Sequence, residues 1–210
     1  MKPIVPLAVV ALATLSATAQ AQEFKNAQRG VVTMAWEMAA PIGDLADVHD
    51  NVSLRGIGVD VYYFVHPMIA VGGSTSIQTF ADTLENRTFQ LANGAITATV
   101  YQYTSVWQLR GLGKFFPLGQ DRFAPYVGLQ LGYGWVDRLV LVTDFSAQDE
   151  KSAFVFTPEV GLLWQLSPRG YNGVTASFRY DFTTASFDQP NSPIDSLQYL
   201  SWTVGGFVGF

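Results

Sequence analysis

The two histidines are the side chains of this sequence best suited to acid–base chemistry near neutral pH. His49 is close in sequence to Asp47, Asp50 and Ser53, so this segment offers an acid, a base and a hydroxyl nucleophile. A polar segment brings such residues together by chance, however, and no His-x-Ser pair is present. His66 falls in a predicted tight turn. We therefore predict no catalytic residues, and the absence of cysteine excludes thiolate catalysis.

A second group of candidates consists of charged residues that recur on the polar side of alternating segments. They are Glu37, Asp60, Arg110, Lys114, Glu159, Arg179 and Asp181. Four acids against three bases nearly balance, so these side chains could pair inside a closed structure. Two interpretations stay open: a network that fills the interior and fixes strand register, which we favour, and a switchable gate for ions. No metal-ligand spacing is present, so we expect neither a metal site nor a cofactor.

Strands would have to position these side chains, because apolar and polar residues alternate along most of the chain. In the clearest segment Val174, Phe178 and Phe182 alternate with Arg179 and Asp181. We predict eight antiparallel strands, at residues 31–40, 53–65, 68–80, 96–116, 123–136, 153–166, 174–183 and 198–210.

The connections between these strands alternate between long and short. Short turns are predicted at residues 66–67, 117–120 and 168–170, whereas polar connections occupy residues 81–94 and 137–152, among others. With an even number of strands, both termini and all short turns lie on one side. Short periplasmic turns and long external loops are typical of outer-membrane barrels. We therefore expect both termini in the periplasm.

The polarity of the two faces distinguishes a membrane barrel from a soluble one. The apolar rows contain most of the Trp, Tyr and Phe of the predicted strands, and the opposite rows contain the charged candidates. A soluble barrel would bury its apolar row inside, but eight strands do not leave room for so many large rings. The sequence therefore predicts that the apolar rows face lipid.

The amino-terminus is typical of an export signal. Lys2 precedes an apolar run at residues 4–15, and Ala19-Gln20-Ala21 is a small-x-small cleavage site. We expect a cleavable signal peptide at residues 1–21 and one barrel domain at residues 22–210. No later segment reaches 18 consecutive apolar residues, so no spanning helix is predicted.

Three stretches carry a family resemblance: PIGDLAD after the first strand, SLRGIGVDVYYFVHP through the second, and SWTVGGFVGF at the end. Together they resemble the small outer-membrane β-barrels of Gram-negative bacteria, the OmpA-like or OmpX-like barrels of the porin family. The resemblance implies an all-β, eight-stranded, antiparallel up-and-down barrel that the barrel assembly machinery inserts from the periplasm. It also implies a carboxy-terminal assembly signal at Trp202, Val204, Val208 and Phe210. We expect no peptidoglycan-binding domain after the barrel.

The function expected from this resemblance is a non-enzymatic one in envelope structure or surface contacts, with outer-membrane lipid and lipopolysaccharide as partners. Two alternatives stay open: a narrow channel for ions or small apolar molecules, and, least favoured, a lipid A-modifying enzyme. Barrel enzymes of that kind use a His with a nearby Ser, and the sequence lacks a His-x-Ser pair. With a net charge of -5 and no basic stripe, a nucleic-acid partner is not expected, and we expect a monomer.

Overall fold

The computed structural model describes residues 30–46, 49, 51–91, 94–142, 145–166, 172–186 and 196–210. Of residues 83–91, 94–100, 140, 142 and 145–147 only the backbone is described. The predicted signal peptide, residues 1–21, and the predicted turn at residues 168–170 lie outside this part of the chain. None of the described residues forms a helix long and apolar enough to cross a membrane.

The described residues form a closed antiparallel barrel of eight strands, which confirms the predicted fold class. The strands are β1 (Gly30–Ile42), β2 (Ser53–His66), β3 (Ile69–Leu91), β4 (Gly94–Phe115), β5 (Phe123–Val142), β6 (Phe145–Gln165), β7 (Asn172–Thr183) and β8 (Leu197–Gly209). A single turn of 3-10 helix, Gly43–Leu45, follows β1.

The barrel closes where its first and last strands meet. β1 pairs with β8 from Val31 opposite Gly209 to Ile42 opposite Gln198. Gly30 and Phe210 exchange two backbone hydrogen bonds of 2.9 and 2.8 Å. Closure matters in lipid, because an open edge would leave backbone groups without any partner.

Two of the predicted connections are wrong. The described residues of these two stretches, 81–91 with 94 and 137–142 with 145–152, continue the strands on either side. β3 and β4 pair as far as Leu91 opposite Gly94, and β5 and β6 as far as Val142 opposite Phe145. In these stretches the sequence no longer has an apolar row. The strands can still pair through their backbones, because a hairpin whose two faces both contact water needs no apolar side chains. The strands are consequently longer than the alternating pattern indicates.

The barrel has two distinct ends. We call the end with both termini and the connections β2–β3, β4–β5 and β6–β7 the turn end, and the opposite end the loop end. At the turn end, residues 67–68 join β2 to β3, and Gly119 adopts a φ of 68° in the β4–β5 connection. The neighbouring strands β3 to β6 have 20–23 residues, whereas β7, β8, β1 and β2 have 12–14.

Side chains alternate between the barrel exterior and the interior along every strand. The outward rows are the apolar ones: Met34, Tyr133 and Val208 are 58%, 62% and 59% exposed. Trp107 and Trp135 stack on this outer surface with ring centroids 4.7 Å apart. An apolar outer band with aromatic rings is the surface that lipid contact requires.

The interior is arranged in three layers. An apolar layer at the turn end consists of Val31, Tyr62, Phe64, Ala70, Leu112, Phe116, Ala124, Tyr126, Leu163 and Phe207. A second apolar layer near the loop end consists of Ala39, Leu45, Phe80, Val106, Val136, Ala153, Ala185, Leu197 and Tyr199. Most buried charged residues lie between these two layers, whereas Arg138 lies beyond the second layer, towards the loop end. The barrel therefore has a packed core rather than a wide interior channel.

Candidate functional site

The structure brings all seven sequence-predicted charged residues together in the middle layer, which we call the interior charge network. Its members are Glu37, Asp60, Arg110, Lys114, Glu159, Arg179 and Asp181, and each is at most 3% exposed. Because their strands lie all around the barrel, the contacts of this network cross the interior instead of running along one wall.

The ion pairs of the network divide into two groups. Lys114 Nζ lies 2.8 Å from an Asp60 oxygen and 3.1 Å from a Glu159 oxygen. Arg179 lies 2.8 Å from Glu159, 3.1 Å from Asp60 and 3.6 Å from Glu37. These five residues form one connected cluster. Asp60 and Glu159 each contact both Lys114 and Arg179. Each of these acids therefore connects strands that are not neighbours, as expected of a network that fixes strand register.

Asp181 is the centre of the second group. Its carboxylate accepts hydrogen bonds from Arg110 at 2.9 Å, Thr157 at 2.8 Å and Ser201 at 2.8 Å. Arg110 also donates to Ser76 at 2.8 Å. Three hydrogen-bond donors offset the free-energy cost of burying this carboxylate, so the arrangement is a structural one and offers no reactive group.

Another group of polar side chains lies at the loop end. After the 3-10 turn the chain returns towards the interior, and the backbone N–H of His49 donates to the Leu45 carbonyl at 2.9 Å. The His49 ring is 1% exposed, and its centroid lies 5.9 Å from that of Phe80. Its Nε2 lies 2.9 Å from Thr104 Oγ1. An imidazole nitrogen at this distance can take a proton from the hydroxyl when the other ring nitrogen carries the hydrogen.

Arg138 lies beside this pair, because Arg138 on β5 is the register partner of Thr104 on β4. Its side chain is 1% exposed, and its three guanidinium nitrogens have no hydrogen-bond partner among the described residues. Asp149 is the register partner of Arg138 on β6. We refer to His49, Thr104 and Arg138 together as the mouth cluster.

The sequence indicates His49 as a candidate but not the other two members of the mouth cluster. Arg138 lies within the predicted connection at residues 137–152, although its even number continues the inward row of Tyr126 and Gln130. Extending the fifth strand by two residues would have placed it inside the barrel. Thr104 lies on the inward row of β4, and nothing in the sequence distinguishes it from other interior hydroxyls.

Of the residues near His49 in sequence, the hydroxyl of Ser53 is engaged elsewhere. The Ser53 hydroxyl donates to the Thr79 carbonyl, and Asp47 and Asp50 lie outside the described residues. His66 is exposed at the turn end, where its Nδ1 accepts a 3.3 Å hydrogen bond from the Met68 N–H. His66 is therefore far from the mouth cluster.

The residues of the predicted assembly signal all face outwards. Trp202, Val204, Val208 and Phe210 lie on the exposed row of the final strand and its terminus. Their recognition by an assembly machinery remains a prediction.

Comparison with known proteins identifies both a fold and a family. The family model described as Lipid A 3-O-deacylase (PagL) matches residues 69–201, more than half of the chain. Among solved structures, the attachment invasion locus protein Ail of Yersinia pestis is 13% identical, with 87% of this chain and 97% of Ail covered and a TM-score of 0.52. The outer membrane protein OprG of Pseudomonas aeruginosa is 13% identical, with 88% and 97% covered and a TM-score of 0.50. No curated protein matches the chain.

These findings correct two expectations from the sequence. The chain is a small outer-membrane β-barrel, as predicted, but the family model that matches is not an OmpA-like or porin one. The matching family is one of enzymes, which contradicts the expectation of a non-enzymatic protein with a structural or surface-interaction role. The prediction went wrong because it took the missing His-x-Ser pair as evidence against catalysis. The matched segment contains neither histidine, so a histidine-dependent reaction would have to use one from outside it.

Proposed function

The chain belongs to the lipid A 3-O-deacylase (PagL) family, and on that premise we propose that it is an outer-membrane hydrolase that removes an ester-linked acyl chain from lipid A. The structural observation that carries this proposal is the contact between His49 and Thr104 at 2.9 Å. It supplies a base and a nucleophile within hydrogen-bond reach, which is the arrangement that ester hydrolysis through a covalent intermediate needs.

In the proposed reaction Thr104 Oγ attacks the ester carbonyl of the acyl chain, and its proton passes to Nε2 of His49. The bond between the acyl carbon and the 3-oxygen of the sugar breaks, and His49 returns the proton to that oxygen. Water, activated by the same imidazole, then hydrolyses the acyl-threonine ester and releases a fatty acid. The steps balance without a metal ion or a cofactor.

The position of the pair suits a substrate in the outer leaflet if the loop end is the external one. We place it there because long connections on one side and short turns with both termini on the other are typical of outer-membrane barrels. Both His49 and Thr104 are buried. The ester must therefore enter through the mouth at the loop end rather than through the outer wall.

Threonine as the nucleophile departs from the histidine-with-serine arrangement of lipid A-modifying barrels. Thr104 lies within the segment that matches the family, whereas His49 is contributed from outside it. The secondary alcohol of threonine is more crowded than the primary alcohol of serine, but an adjacent base activates both in the same way.

Mass spectrometry of lipid A from a lipopolysaccharide-producing host, with and without this gene, tests the proposal. We expect lipid A that lacks its 3-O-linked acyl chain only when the protein is present. Thr104→Val and His49→Gln should each lower the rate by about 10²–10⁴-fold, because each removes the nucleophile or its base. Thr104→Ser should keep most of the activity, because it keeps the hydroxyl.

Ser53→Ala is the matched control, because Ser53 lies near His49 in sequence but its hydroxyl bonds the Thr79 carbonyl. This variant should deacylate at close to the wild-type rate. Unchanged lipid A in the presence of folded wild-type protein would refute the proposed activity. Full activity in Thr104→Val would refute the assigned nucleophile and leave the reaction to another group.

A further inference from the structure

Arg138 is a buried cation whose guanidinium nitrogens have no hydrogen-bond partner among the described residues. Leaving a cation inside a protein without compensation is costly, and buried charges are normally paired. The carboxylate facing it is that of Asp149 on β6, but Asp149 is exposed and no ion pair joins the two among the residues that the structure describes. The arginine is thus prepared for an anion that the described part of the chain does not supply.

The depth of Arg138 in the membrane indicates which anion could reach it. Trp107 and Trp135 stack on the outer surface and are register partners, and Thr104 and Arg138 are partners three residues nearer to the loop end. Aromatic rings of this kind mark the boundary between hydrocarbon and headgroups. Three residues of tilted strand advance roughly 7–8 Å, so the mouth cluster lies at the height of the headgroups.

The guanidinium of Arg138 fits a tetrahedral oxyanion. A guanidinium presents a planar set of N–H groups that bonds two oxygens of one phosphate at once. The Thr104 hydroxyl lies next to this guanidinium, so a phosphate held by Arg138 would lie beside the proposed nucleophile. An acyl chain or an unphosphorylated sugar offers no charge to offset the burial of the arginine.

We propose that Arg138, with Thr104 beside it, forms a phosphate-binding pocket in the mouth of the barrel. The pocket takes a phosphate group carried by the sugar headgroup of the lipid substrate. This inference rests on the proposed deacylase function only for the choice of lipid A as the carrier. Binding the phosphate at Arg138 positions the headgroup so that an ester comes next to the hydroxyl of Thr104.

Equilibrium binding to the refolded mature protein in zwitterionic detergent micelles tests the pocket. The probes are inorganic phosphate, and lipid A that already lacks its 3-O-linked chain, with its phosphates or after their removal. Because these lipids have already lost the chain, binding is measured without turnover, and a failure of deacylation would not affect the result. We expect phosphorylated lipid A to bind wild-type protein about 10–100-fold more tightly than the dephosphorylated form, as charge-assisted hydrogen bonds would give.

Arg138→Gln should abolish this preference, and Arg138→Lys should keep part of it, because lysine retains the charge but not the planar donors. Arg55→Gln is the matched control: Arg55 is exposed on β2, so this variant should bind like the wild type. Competition by inorganic phosphate at the affinity of the lipid would support the pocket and identify free phosphate as its ligand. Equal binding of both lipid forms by the wild-type protein, with no binding of inorganic phosphate, would overturn the proposal.

The stability of the unliganded protein provides an independent measurement. If only an external anion compensates the charge of Arg138, then Arg138→Gln removes an uncompensated buried charge from the unliganded protein. The urea midpoint of this variant should then stay unchanged or rise. If carboxylates of the chain itself already satisfy the arginine, the same substitution should lower the midpoint in the absence of any ligand. That second result would also overturn the proposal.

Discussion

Asp60 contacts two cations at once, Lys114 at 2.8 Å and Arg179 at 3.1 Å, and accepts a hydrogen bond from Ser74 at 2.7 Å. Lys114 in turn lies 4.9 Å from the centroid of the Tyr62 ring and 4.6 Å from that of Tyr126. The ring faces and the acids are attracted to the same ammonium group. Single residues of the interior charge network therefore contribute through several partners together.

Asp60→Asn should destabilise the folded barrel by about 3–5 kcal/mol, because it leaves buried cations with one acid fewer. The measurement is urea unfolding of the refolded protein in lipid vesicles, followed by tryptophan fluorescence. Glu150→Gln changes an exposed acid on β6 and should shift the free energy of unfolding by less than about 0.5 kcal/mol. Equal stability of the two variants would show that the pairs of Asp60 contribute little.

At the residue scale the sequence predicts which side a residue faces better than it predicts its partners. The period of two placed Glu37 and Asp181 inside the barrel, because parity along a strand determines the face. Parity carries no information about which inward residues meet across the barrel. The contact of His49 with Thr104 joins residues 55 positions apart, and no local pattern reports it.

At the scale of elements, β4 and β5 approach each other closely at one point. Gly132 lies opposite Arg110, and a Cβ added to Gly132 would lie 2.6 Å from the Arg110 Cα and closer still to the Leu109 carbonyl oxygen. These are backbone atoms, which cannot rotate away as a side chain can. The spacing of the two strands therefore depends on the missing side chain.

Gly132→Ala should destabilise the barrel by about 1–3 kcal/mol, because the strands must separate to admit the methyl group. Gly113→Ala on β4 is the matched control, because a Cβ there would meet nothing within 4 Å. The heat-modifiable shift on gels, followed as a function of temperature, reports the stability of both variants. A similar loss in the two would indicate that the effect comes from glycine itself and not from the close approach.

The existence and order of the strands could be predicted from the sequence, but the lengths of β3, β5 and β6 could not. Alternation indicates a strand only where one face meets lipid and the other the interior. In the described parts of residues 81–94 and 137–152 the backbone continues to pair although the side-chain pattern no longer alternates. Arg138 was missed because it lies in one of these stretches.

At the scale of the whole molecule, the three interior layers determine what can pass through the barrel. In the layer at the turn end, Phe116 packs against Phe64 and Tyr126, with ring centroids 5.1 and 5.3 Å apart. The interior charge network lies directly against this layer through Lys114. Eight strands enclose only enough space for side chains, and these side chains occupy it.

We therefore expect no stable open level of sizeable conductance when the refolded protein is inserted in planar bilayers. The control is a water-filled porin added to the same bilayers, which should conduct under identical conditions. A reproducible open level for the wild-type barrel would show that the layers rearrange and would favour transport as an additional role.

Because the strands differ in length, the rim of the barrel at the loop end is higher on one side than on the other. The long strands β3 to β6 are neighbours, so they raise one half of the rim, while β7, β8, β1 and β2 leave the other half low. The segment with His49 begins on the low half, and it contacts Thr104 on the high half. Among the described residues, the strands therefore shield the mouth cluster more on the high half than on the low half. We expect lipids to reach the mouth cluster from the low half, where the described strands are shorter.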